Sequence, residues 1–293
     1  MKPIIATESG KARIFYLFFF SLVGMFVAGG IRQFFSLVFG FDDPSNAWFI
    51  RLNTFLQSLL MFFFPAYCVA GMSESGPSRF LRLQRSSHLF SAIGLAVLIF
   101  MVAMPMVSFL MQWNEQMRLP ESFKSIEHWM REMEDAAAAT TNLLLEEKSV
   151  WVLMVNLLLI GVFAAISEEF FFRGVLQQSL VEMVKNKHAA VWITAFLFSI
   201  MHLQFYGFFP RLVLGVLLGY LFLYGRNLWI PIAAHFFNNA LSLLTVFYFG
   251  ETDFVLRMEN RPLTLAFGCW AAVSLMATLL LFQLYKKRME DVY

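Results

Sequence analysis

The chain has 293 residues, of which 59% are hydrophobic and only 14% charged, and its mean hydropathy is +0.65. A soluble domain carries about 25% charged residues, so composition alone marks an integral membrane protein. A net charge of +2 with no basic cluster among exposed aromatics gives no footprint for nucleic acid. The two cysteines, Cys68 and Cys269, both sit in apolar runs and supply neither a disulfide framework nor a Cys-rich metal site.

Lys2, Lys11 and Arg13 precede an uncharged run over 14–31, long enough to span a bilayer. It is read as an uncleaved first helix rather than a signal peptide. Further spans are expected at 52–72, 89–111, 149–167 with an extension beyond, 188–210, 212–225, 227–250 and 262–285. The sixth is the shortest; Arg211 and Arg226 bound it and are expected to snorkel outward and lengthen it. Nothing alternates with a period of two, as a barrel would require. The expected fold is therefore all-α, a polytopic membrane helix bundle of about eight transmembrane helices.

Between the third and fourth spans lies a loop over 112–148. Leu119, Phe123, Ile126, Met130, Met133, Ala137, Thr140 and Leu144 recur there at steps of three and four, which predicts an amphipathic helix beginning near Pro120. A helical connector packed on its neighbours is favoured over a substrate lid. With eight spans both termini share a side. That side collects 13 of the 22 Lys and Arg, so both termini are expected in the cytoplasm.

The informative polar residues lie inside apolar runs. The run 149–167 flows into Glu168-Glu169-Phe170-Phe171-Phe172-Arg173, although a charge in hydrocarbon costs several kcal/mol. Successive helix residues point about 100° apart, so the two acids cannot face one spot. Glu169 and Arg173 are four apart with the acid first, the favourable order for an intrahelical pair. Arg173 is therefore expected to neutralise Glu169 and leave Glu168 facing a water-filled cavity. A hairpin turning near Lys185-Asn186-Lys187 puts Glu168 about 27 Å and His202 about 24 Å from the turn, at one level. His235 and Asn239 are four apart on the seventh span, on one helix face, at a similar depth; Asn238 competes with Asn239. No H-E-x-x-H occurs, no aspartate pair lies in the spans, and Ser73 ends a span at its charged rim. What remains is a carboxylate with an imidazole to activate water, and an imidazole with an amide to stabilise charge.

Glu168-Glu169-x-x-x-Arg173, Phe198-x-x-x-His202 and His235-x-x-x-Asn239, with Gly215, Gly219-Tyr220 and Gly225-Arg226-Asn227-Leu228-Trp229-Ile230-Pro231, resemble the signature motifs of the CAAX prenyl protease type 2 family, also called the CPBP or ABI bacteriocin-immunity family. The similarity covers about 149–249; the flanks match only in hydropathy. The resemblance implies an intramembrane endopeptidase whose eukaryotic branch removes three residues after a prenylated cysteine. It implies Glu168 as general base on water, helped by His202; it implies His235 and Asn239 as the oxyanion ligands, and Glu169, Arg173 and Phe198 in support. Its partners would be a membrane-associated protein or peptide substrate and the lipid bilayer, in the inner membrane of a bacterium.

The chain then divides into an N-terminal membrane region (1–148), a protease-like catalytic core (149–250) and a C-terminal span with a cytoplasmic tail (251–293). No cofactor is required by the favoured metal-free reading. Glu168, His202 and His235 could instead hold one divalent zinc with an open position for water. Two other functions compete: a non-catalytic immunity or scaffold protein of the same fold, and a transporter with an intramembrane proton relay.

Overall fold

The structure is a computed structural model that describes residues 9–40, 43, 45–250 and 263–291. Lys2, the start of the last expected span and the 251–262 part of the C-terminal division lie outside the described residues. The described chain is helical throughout, with no strand. Seven helices are long and apolar enough to cross a membrane: α1 (Gly10–Phe39), α2 (Ala47–Gly71), α3 (Leu89–Glu115), α5 (Val150–Val184), α7 (here Phe208–Gly225), α8 (Trp229–Phe249) and α9 (Leu265–Glu290). The eighth apolar helix, α6 (Lys187–Ile200), is shorter. The amphipathic helix α4 is Lys124–Leu145. The bundle of about eight helices is thus as expected.

Local chemistry sets several of the ends. The Asn46 side chain accepts from Trp48 N and Phe49 N at the start of α2. Asn186 does the same for His188 N and Ala189 N at α6, satisfying amides that a first turn leaves orphaned. Pro105 lies inside α3, where it removes a backbone donor. Ser274 of α9 inserts beside it, donating to Val102 O at 2.6 Å and accepting from Met106 N at 3.3 Å. Such side-chain repair is how helix-breaking residues persist in spans. The α1–α2, α3–α9 and α6–α7 pairs are among the most extensive contacts of the bundle.

One expected boundary is wrong. The spans 188–210 and 212–225 place the turn at Arg211, but α6 ends at Ile200 and the chain turns over 201–207. The fifth helix is therefore the short one, at 14 residues, and α7 gains a turn. Arg211 is inside α7 rather than at its rim. It does not snorkel outward: its guanidinium bonds Gln204 O at 2.8 Å and Gln204 Oε1 at 2.6 Å, clamping the turn.

The long α5 is not uniform. It widens into π-helix over Leu157–Phe163 and again over Phe170–Gln177, with the Glu168-Glu169 pair in the α-helical segment between. π-bulges are rare and frequently sit at functional sites. The amphipathic helix begins where expected, but only the C-terminal part of its expected face is covered. Leu144 is buried, Met130, Met133 and Ala137 are half-buried, and Phe123, Ile126 and Thr140 are exposed.

Candidate active site

Glu169, Arg173 and His235 meet in the centre of the bundle. Glu169 and Arg173 are fully buried, and Arg173 Nη1 donates to Glu169 Oε1 at 2.6 Å. The expected i,i+4 pair therefore exists, even though the helix widens between its members. Arg173 Nη2 donates to Gly215 O at 3.0 Å, and one turn along, Gln177 Nε2 donates to Gly219 O at 3.0 Å. These two rungs bind α5 to α7. They need bare α7 backbone: a Cβ on Gly215 would press within 3.2–3.3 Å of Ala195 and Phe198 on α6. The Gly215 and Gly219 spacing thus lets three helices close around one guanidinium.

His235 joins the two acids. Its Nδ1 lies 2.8 Å from Glu169 Oε1, and its Nε2 lies 3.8 Å from Glu168 Oε2. Adjacent carboxylates on one helix point in different directions, yet one imidazole from α8 reaches both. A carboxylate oxygen already taking the Arg173 N–H only accepts, so His235 Nδ1 carries the proton in this bond. Glu168 Oε2 and Glu169 Oε2 are buried with no hydrogen-bond partner.

His202 stands just past the end of α6. Its Nδ1 is 2.7 Å from Phe198 O. A carbonyl only accepts, so this contact fixes the Nδ1–H tautomer and leaves the Nε2 lone pair free. Phe198 is the common wall. Its ring centroid lies 4.9 Å from that of His202, 5.9 Å from that of His235, and 4.7 Å from the Arg173 guanidinium carbon. Asn239 Nδ2 donates to Ile160 O at 3.0 Å, a carbonyl of the first π segment of α5, so one of its amide protons is held by backbone. Asn238 Nδ2 approaches Asn239 Oδ1 at 3.4 Å.

A cavity of about 490 Å³ brings the expected residues together: Glu168, His202, His235 and Asn239 all line it. Its other walls are largely apolar, from α2, α5 and α8, and Thr141, Leu144 and Leu145 of α4 close it above. This is the size and character of a ligand site. A smaller cavity of about 130 Å³ lies on the other side of the imidazoles, lined by His202, His235, Asn238, Asn239 and Arg211. Among the described residues no group of three or more His, Cys, Asp or Glu side chains is arranged to hold a metal ion. Glu168, His202 and His235 line one cavity without forming such a group.

Sequence reasoning misses the parts that hold the roof. Arg51 is buried at the start of α2. It donates through Nε to Asn156 Oδ1 at 2.9 Å and through Nη2 to Leu144 O at 3.0 Å, and Asn156 Nδ2 donates to the same carbonyl at 2.7 Å. An amide inside the run 149–167 is the signal that could have found this anchor. At the other end of the roof, Glu134 accepts from Tyr206 N at 3.2 Å and Gln204 Nε2 at 3.4 Å, and Trp129 packs on Phe205 at 5.2 Å. The helix α4 is thereby fastened to the turn that carries His202.

Residues 150–241 match the family model described as Rce1-like, Type II CAAX prenyl endopeptidase Rce1-like. The matched stretch contains all three motifs and falls within the region where the sequence resembles that family, so the resemblance holds. No curated protein and no solved structure matches the chain.

Proposed function

We propose that this integral membrane protein is an endopeptidase that hydrolyses peptide bonds of membrane-associated proteins or peptides with water activated by Glu168. The observation that carries the reading is one imidazole held between two adjacent carboxylates, Glu169 fully buried and Glu168 lining the cavity, with a second imidazole on the wall of the same cavity. A transporter relay of the inverted-repeat kind uses paired broken helices, and a scaffold needs no acid facing a cavity beside two imidazoles.

In this reading Glu168 removes a proton from water, aided by the free Nε2 of His202, and the water oxygen adds to the peptide carbonyl carbon. His235 and the second amide proton of Asn239 face the oxyanion, donors worth about 2.7–4 kcal/mol each where measured. With Nδ1–H given to Glu169, His235 Nε2 donates only when the ring is the imidazolium. Arg173 and that imidazolium then balance the charges of Glu168 and Glu169 inside the bundle. Glu168 passes its proton to the leaving nitrogen as the C–N bond breaks. Glu169, Arg173 and Phe198 fix the orientation of His235 and His202. No step of this reading is routed through a metal: Glu168 supplies the base, and His235 Nδ1 is already committed to Glu169. Placement in the inner membrane of a bacterium belongs to the same proposal, and the orientation with both termini in the cytoplasm rests on the Lys and Arg distribution.

Glu168→Gln in proteoliposomes tests it. The amide fills the same space but cannot take a proton, so cleavage stops while folding and insertion persist. A comparison of membrane proteomes carrying the native chain and Glu168→Gln then identifies substrates by their loss of processing. Turnover within tenfold of native by Glu168→Gln would refute the base assignment.

A further inference from the structure

The end of the bundle remote from α4 holds another cavity, of about 400 Å³. Among the described residues, Arg82, Lys187 and Arg226 line it together with the acid Glu290, and its apolar wall is Leu223, Tyr224 and Met289. Two backbone conformations bring the arginines there. Arg82 has φ +56 and Arg226 has φ +47, the left-handed region that residues with a Cβ rarely occupy. The two loops are stitched together in that state: Leu228 N donates to Arg82 O at 3.1 Å, and Asn227 Nδ2 donates to Gln84 O at 2.6 Å. The backbone segments that carry the two arginines are thereby tied together.

This is a poor arrangement for a cation on its own. The Arg82 guanidinium rests over the Phe222 ring at 5.3 Å and has no carboxylate within ion-pair distance among the described residues. Burial first, and the neighbouring Arg226 second, pull its pKa below the ordinary value. Glu290 is engaged instead with Lys286 at 3.8 Å. Strained backbone and gathered like charge, with no internal compensation at Arg82, are the features of a site built for an anion. The apolar wall beside the charges suits a ligand with a charged head and a hydrocarbon neck. Basic pockets between transmembrane helices bind lipid headgroups by this combination.

We propose that this cavity binds a phosphate-bearing anion, the headgroup of an acidic phospholipid from the adjacent leaflet, through Arg82, Arg226 and Lys187. The fork of a guanidinium matches phosphate oxygens, and a bound headgroup ties the loop after α2 to the turn between α7 and α8.

The full-length protein, delipidated in detergent, is melted with phosphatidylglycerol, with phosphatidylcholine or with inorganic phosphate, and retained lipid is counted by native mass spectrometry. Phosphatidylglycerol should raise the melting point by several degrees with one lipid retained, while phosphatidylcholine should not. The rise and the retained lipid should disappear in Arg82→Gln/Arg226→Gln and persist in Arg85→Gln, an exposed arginine outside the cavity. Equal protection by inorganic phosphate would assign the site to a free phosphate rather than a lipid. Lys187→Gln, exposed at the cavity and remote from packing, should weaken the protection even where the double variant folds poorly. An equal rise for both lipids, no rise with any of the three, or a rise unchanged in both Lys187→Gln and the double variant would overturn the proposal.

Discussion

Arg173→Met removes the guanidinium from an ion pair with no exposure at either partner. Three interactions go: the 2.6 Å bond to Glu169, the 3.0 Å bond to Gly215 O, and the stack on Phe198. Breaking a buried ion pair from one side costs about 3–5 kcal/mol, because the remaining charge stays buried; Gly215 O lies inside α7 and keeps its helix partner, so loss of the second bond adds little. His235 still donates to Glu169, which favours the low end. The expected loss is about 3–4 kcal/mol, a factor of at least about 100 in the folding equilibrium. Arg173→Met with Glu169→Gln removes both charges, and paired replacement of buried ions is often nearly neutral. The double variant should regain at least half of the lost stability. Its turnover should stay low, since a neutral amide in place of the Glu169 carboxylate would no longer balance a charged His235. Equilibrium unfolding in mixed micelles measures the first quantity and peptide cleavage the second. A double variant no more stable than Arg173→Met would show that Glu169 is not the group Arg173 compensates, and the charge balance of the site would fail with it.

Asn239→Ala should lower kcat far more than it raises KM, because an oxyanion donor acts in the transition state. It should also cost about 1 kcal/mol of stability through the freed Ile160 carbonyl. Asn238→Ala should be milder in both; the reverse order of damage would transfer the donor role to Asn238. Exhaustive chelation should leave turnover of the purified protein unchanged, with no stoichiometric zinc by elemental analysis. One zinc per chain, lost together with activity in His202→Ala, would replace the metal-free mechanism.

Much of the site is legible in the sequence because charge inside hydrocarbon is so costly that it marks its own position. Glu169 and Arg173 can be paired from spacing alone, and the common depth of Glu168, His202 and Asn239 follows from rise per residue. The depth argument reaches the right grouping through a wrong detail. It puts His202 on a helix continuing to 210, whereas the residue stands on the turn after Ile200. Leu203, Phe205, Tyr206, Phe208 and Phe209 keep the hydropathy high through that turn, and Leu203 takes it at φ +54 where a glycine would have announced it. The π segments are invisible for a related reason: they change hydrogen-bond register without changing which residue types suit a span. The partners of Asn239 and Arg173 on backbone, Ile160 O and Gly215 O, carry no side-chain signature at all.

The shortness of α6 has a consequence for the surrounding bilayer. Fourteen helical residues rise about 21 Å, against a hydrocarbon layer of about 30 Å. Roughly 9 Å of that thickness is therefore left unspanned by α6 at the 201–207 turn, where α4 is fastened instead. A span shorter than the hydrocarbon layer is accommodated by local thinning of the bilayer, which would bring headgroups and solvent toward His202. Hydrolysis consumes one water per bond cut, and oil supplies none. Under the proposed function, the truncated helix would let the bilayer thin beside α4, and solvent would reach Glu168 there with no aqueous channel through the bundle required.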